Sequence, residues 1–232
     1  GTMPNLLGHV KTIVKDHPPV ACIPMGIDLD IEQDSLPLAE SYRDSYLNKN
    51  YFNIVYAGTI GITNALNPFL EAAKEMQTHK DLRFVIIGDG ALKFEYMQKY
   101  DLPNLVFAPK IPRNMVQSAL ESADLLYFSA HNSKVWDYGL SLNKVIDYMK
   151  AGKPIIASYT GHQSMINEAQ CGEFVQACNT KALIDAIIKY KTMTKNEREE
   201  IGQRGKSWIY KNRDYAKLAR DYSELISRLA PR

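Results

Sequence analysis

The stretch GLSLNKVIDYMKAGKPII, residues 139–156, holds a loop, an amphipathic helical run and the start of an apolar strand. Ser141 or Asn143 can cap the helix, and Gly152-Lys153-Pro154 stops it before Ile155 and Ile156. Lys144 stands near the start of the helix, where the dipole prefers negative charge. Asp147 follows three residues later, on a neighbouring helical position.

The same helix-and-strand beat extends to both sides. Residues 53–57 (NIVYA) read as a strand and 67–76 as a helix, with Pro68 in its first turn. RFVII (83–87) is the next strand, and GDG leads into the helical ALKFEYMQKY. LVFA (105–108), a helix over about 112–122 and DLLYF (124–128) follow, and the strand of the opening stretch covers 154–157. Strands that are continuously apolar and alternate with helices indicate a parallel sheet covered on both faces. The expected fold is α/β, a Rossmann-like doubly wound sheet. Such sheets bind ligands at the carboxyl ends of their strands, which directs attention to GTIGIT, GDG, PKIPRN, SAHNSKVWDYG and SYTGHQ.

The ends depart from this beat. Residues 4–23 offer a short helix and a small strand, VACI, closed by PMGID, and 28–51 read as an acidic linker. Helices are expected over 179–190, 196–211 and 215–229. Gly1-Thr2-Met3 is set aside as an expression scar or fragment boundary.

Composition narrows the function classes. The chain has 232 residues, 45% hydrophobic and 23% charged, with 28 basic and 26 acidic residues mixed along it, so no basic stripe suggests nucleic acid. Cys22, Cys171 and Cys178 form no CxxC pair and are too few for a disulfide framework, which fits a reducing, cytoplasmic compartment. No apolar run reaches the roughly 18 residues of a membrane span.

Among the loops, Gly58 and Gly61 let the backbone pass close to a ligand and leave amides open for an anion at the start of the following helix; the plainer alternative is a tight strand-to-helix turn. Neither this turn nor Gly88-Asp89-Gly90 is a full GxGxxG, which argues against a dinucleotide dehydrogenase. Lys144, opposed to its helix dipole, makes more sense if a phosphate neutralises both. Asp147 could then accept hydrogen bonds from a ribose diol; the plainer alternative is a solvated Lys-Asp pair. Asp28-Leu29-Asp30 mimics a DxD metal motif, but it follows PMGI in a linker, and no metal site is expected. His131, His162, Trp136 and Tyr148 read as loop or packing residues.

IPMGID, YAGTIG, IIGDG, LVFAPKIP, ADLLYF and GLSLNKVIDYMKAGKPIIAS, followed by EAQCGEFV, together resemble the carboxy-terminal domain of group 1 glycosyltransferases of the GT-B fold, over about residues 20–230. Within that family the chain is similar to bacterial envelope polysaccharide transferases, including fucosamine-type enzymes. The resemblance implies retaining transfer from a nucleotide-diphosphate sugar, a UDP-sugar first, without a cofactor or resident metal. By position it assigns Gly58, Gly61, Ser141, Leu142, Asn143 and Lys144 to the diphosphate, Asp147 to ribose, and Gly88, Asp89, Lys110 and Ile111 to the base pocket. Gly139 stands where many members carry a glutamate, which leaves Asp137, Tyr138 and the Gly139 backbone for the donor sugar. The loop after Gly58 lacks the family's Arg and Lys.

The implied domains are 1–27, a remnant of an amino-terminal domain; 28–51, a linker; 52–211, the donor domain; and 212–232, a crossover helix. The acceptor site and catalytic residue are then expected in an absent domain, so the chain alone should be inactive. A glycan or lipid-linked acceptor is the implied partner, with peripheral membrane association of the full-length enzyme at the inner face of the membrane. The alternatives are a non-catalytic nucleotide-binding module and a GT-B-like epimerase.

Overall fold

A computed structural model describes residues 1–16, 19–29 and 35–229. Six parallel strands form one sheet in the order β3-β2-β1-β4-β5-β6, namely β1 (Phe52–Ala57), β2 (Leu82–Ile87), β3 (Leu105–Ala108), β4 (Leu125–Ser129), β5 (Ile155–Ser158) and β6 (Gly172–Val175). Strand order reverses between β1 and β4, where Ile54 pairs with Leu125 and Val55 with Leu126. Loops leaving these two strands diverge to opposite faces and open a crevice there.

Burial explains why these segments are strands. Every residue of β4 and β5 is buried. Along β4, Leu126 and Phe128 enter one core layer and Leu125 and Tyr127 the other, the period of two that a doubly covered sheet requires. Helices α3 (Asn67–Glu75), α4 (Lys93–Lys99), α5 (Val116–Glu121), α6 (Asn143–Lys150), α7 (Met165–Glu168) and α8 (Thr180–Thr192) form the crossovers and their continuations. Pro68 lies in the first turn of α3, which needs no amide there. Helix α9 (Lys195–Asn212) begins at a full capping box between Thr194 and Glu197 and packs on α6. Helix α10 (Tyr215–Leu229) closes the described chain.

The ends differ from expectation in two places. VACI is not a strand: Ile23 N–H donates to Gly1 O and the Gly1 amine to Ala21 O, but no ladder forms, and the neighbouring bridge is Ile27 with Asp214. Residues 38–47, read as linker, hold α2 (Glu40–Tyr46) between two fully packed side chains, Leu38 and Leu47. Too short for a clear helical period, α2 is fixed by its flanking leucines. Helix α1 (Leu6–Ile13) forms where a helix was expected.

Candidate functional site

At the β1/β4 switch point lies a cavity of about 430 Å³. The turns after β1 and β2 make its floor. Gly58 N–H donates to Ile87 O at 3.0 Å and Ile60 N–H to Asp89 O at 2.8 Å, so the two loops run against each other. A Cβ on Gly88 would fall 2.0 Å from Gly58 O, and its φ of +151° already excludes most side chains. The β1 turn does not feed directly into a helix start as expected. A single 3-10 turn, Ile62–Asn64, and left-handed Ala65 intervene before α3, and Gly61 stands outside the cavity lining.

The wall opposite is the first turn of α6. Its N-cap is Leu142, whose side chain packs on the core and forms no capping bond. This corrects the expected role of Ser141 and Asn143: neither caps the helix. The amides of Asn143 and Lys144 therefore lack a side-chain cap, while Val145 N–H donates to Leu142 O at 3.1 Å; Asn143 and Lys144 line the cavity and Ser141 and Leu142 do not.

Lys144 reaches inward beneath the glycine turn. Its Nζ donates to Tyr56 Oη at 2.9 Å and Asn64 Oδ1 at 3.1 Å, and sits 4.1 Å from the centroid of the Tyr56 ring. Burial lowers its pKa to about 7. Among the described residues no carboxylate compensates it, so the ammonium rests on dipoles and a ring face. A Cβ on Gly58 would lie 2.9 Å from this Nζ, which makes the glycine a condition for the lysine's position.

Asp147 lines the same cavity one turn along α6. Both of its oxygens are taken by Arg113, at 2.7 and 2.8 Å. The guanidinium's pKa is raised by the carboxylate. Asp147 is thus neither solvated alone nor paired with Lys144. One turn beyond Lys144, Tyr148 ties α6 to the sheet: its hydroxyl accepts from Ala57 N–H at 2.8 Å and donates to Tyr127 O at 3.1 Å. Lys110, Ile111, Val116, Ala119 and Leu120 complete the wall, beside Gly88 and Asp89 of the floor.

The residues expected to meet the donor sugar lie elsewhere. Asp137 and Tyr138 end the 3-10 turn Lys134–Tyr138, outside the cavity lining. Asn5 N–H donates to Tyr138 O and Asn5 Nδ2 to Asp137 O, the Tyr138 hydroxyl meets His9 Nδ1 at 2.9 Å, and Pro4 lies over Gly139. This rim is packed against α1. His131 Nε2 contacts Ile62 O, and His162 is held by its amide on Trp136 O. Asp30 lies outside the described residues, and among those described no group of His, Cys, Asp and Glu could hold a metal ion. Nor is any described helix long and apolar enough to cross a membrane.

Sequence reading missed Tyr56, Tyr148's tie and the Arg113 pair. Tyr56 is one apolar residue of a buried strand, and only the fold brings it to Lys144. Arg113 carried a signal, since it lies in a loop that follows a strand end.

Three comparisons bear on this geometry. Residues 39–208 match the family of glycosyl transferases group 1. Among solved structures, sucrose-phosphate synthase from Thermosynechococcus elongatus superposes with a TM-score of 0.73 at 18% identity, over 98% of this chain and 57% of that one. The carboxy-terminal domain of the group 1 glycosyl transferase LpcC from Francisella tularensis gives 0.60 at 20% identity, over 82% and 99%. A trehalose-6-phosphate structure from E. coli bound with UDP-2-fluoro glucose gives 0.69 at 16% identity, over 91% and 52%. The chain thus spans little more than half the length of the first and third. No curated protein gives a significant match. With a doubly wound sheet like that of GT-B carboxy-terminal domains, and a family match over most of its length, the chain belongs to the group 1 glycosyltransferases.

Proposed function

We propose that the cavity receives a nucleoside diphosphate sugar, a UDP-sugar first, as donor for retaining transfer to a glycan or lipid-linked acceptor. The observation that carries this reading is Lys144: a buried ammonium without a carboxylate, beside the open amides of α6. A diphosphate would supply the missing charge to both. Asp147 and the wall of Gly88, Asp89, Lys110 and Ile111 then take the ribose and base, and the reaction asks for no cofactor beyond the donor. The E. coli relative bound with UDP-2-fluoro glucose supports a UDP donor.

Transfer would also need an acceptor wall over the crevice, from a domain corresponding to the part of the longer relatives that this chain does not span. Such an enzyme would serve polysaccharide synthesis in the cytoplasm, drawn to a membrane surface by a lipid-linked acceptor. Fucosamine-type donors are the first to try, on the motif resemblance. Calorimetry against UDP-, GDP- and ADP-sugars tests the reading. Saturable binding of one nucleotide series, weakened about tenfold in Lys144→Ala, is expected; no saturable binding to any of them defeats it, and equal affinity for free nucleotide and nucleotide sugar favours a non-catalytic module.

A further inference from the structure

Arg113 occupies the part of Asp147 that a sugar diol would need. Its Nη1 and Nη2 donate to Oδ2 and Oδ1, so each carboxylate oxygen already accepts a charged hydrogen bond. The two partners are held very differently: the Asp147 side chain is 16% exposed and that of Arg113 is 73% exposed. The acid is set in the wall of α6, and the guanidinium, carried on the 3-10 turn Arg113–Met115, is the solvent-facing partner.

There is also a place for it to go. The pair stands between two cavities, because Arg113, Val116 and Asp147 line both the 430 Å³ crevice and a second cavity of about 730 Å³. Glu121 lines the second together with Lys150 and Lys206, so a guanidinium that leaves Asp147 enters a solvent-open space that holds one carboxylate and two ammonium groups.

A vicinal diol and a guanidinium fork make the same demand on a carboxylate, two parallel donors to two oxygens. Both cannot hold Asp147 from the crevice side at once. We propose that Arg113 is a latch on Asp147, displaced toward the second cavity by the diol of an incoming nucleoside diphosphate. The inference rests on the donor-site reading above. Breaking an ion pair whose cation is solvent-exposed costs the ligand roughly two- to fivefold in affinity. A cation that served only to attract phosphates would act with the opposite sign, and its removal would weaken binding.

Calorimetry separates the two. The probes are whichever of UDP, GDP and ADP the wild-type protein binds best, and its 2′-deoxy counterpart. Arg113→Ala should bind the ribonucleotide about two- to fivefold tighter than wild type. The gain should be smaller for the 2′-deoxy compound, which offers Asp147 one hydroxyl in place of two. Arg113→Lys, which keeps the charge but not the fork, should show part of the gain and guards against a fold defect in the alanine variant. Unchanged or weaker binding by folded variants overturns the latch and leaves the donor site standing. If the wild-type protein binds none of the three nucleotides, the donor site fails and the latch falls with it.

Discussion

The Lys144 ammonium lies 2.9 Å from the Tyr56 hydroxyl, and its other hydrogen bond goes to the Asn64 amide, so a buried cation is held by two neutral groups. Such an arrangement solvates a charge without cancelling it, and leaves most of its field for an incoming anion. Lys144→Ala should therefore weaken nucleoside diphosphate binding about tenfold, or about 1.4 kcal/mol. Unchanged affinity by calorimetry would remove Lys144 from the donor site.

The same burial fixes the sign of a pH effect on stability. With its pKa lowered from 10.5 to about 7, Lys144 has released its proton in the folded chain between those values while the unfolded chain retains it. More protons bound in the unfolded state means that this residue's contribution to stability improves as pH rises through that window. Below about pH 7 both states are charged and the cost of burying the ammonium is fully present. Denaturant unfolding from pH 7 to about 10 should shift the wild type upward relative to Lys144→Met. A difference that does not change with pH would refute the sign.

Binding should report the same proton. A diphosphate beside Nζ restores the charged form, so ligand binding at about pH 8 should draw up to one proton from buffer. Titrations in buffers of different ionisation enthalpy measure this uptake. Its persistence in Lys144→Ala would assign the proton to another group.

Much of this is legible in the sequence, and the contacts that are not share a cause. Period and punctuation are local, so the strands from Asn53 to Ala157 and their crossovers could be read, as could the lysine set against its helix dipole. The contacts of Lys144 with Tyr56 and Asn64, and of Asp147 with Arg113, span 88, 80 and 34 residues. No spacing rule reaches that far. Capping was misread for another reason: Ser141 and Asn143 have the right chemistry, but Leu142 must turn into the core, and its packing sets where the helix begins.

The glycines of the turns after β1 and β2 are not equivalent. A Cβ at Gly88 would collide with the Gly58 carbonyl at 2.0 Å, whereas one at Gly61, with φ −148°, would meet only Thr59 Cγ2 at 3.8 Å. Gly88→Ala should lower Tm by several degrees and impair nucleotide binding, since both loop and strand ends must shift. Gly61→Ala should melt within about a degree of wild type. Equal thermal shifts in the two variants would mean that the close approach of the two loops does not constrain the fold.

Tyr148 offers the cleanest separation of scaffold from ligand contact. Its hydroxyl is buried and accepts from the Ala57 amide, the last residue before the Gly58 turn. Phenylalanine keeps the ring and leaves that amide without its partner, at a cost of about 1–3 kcal/mol. Tyr148→Phe should accordingly lower stability in denaturant titration by that amount and reduce nucleotide affinity only modestly, because the Gly58 turn is still held by its bond to Ile87 O. A large loss of affinity with stability intact would instead make the phenol part of the ligand site.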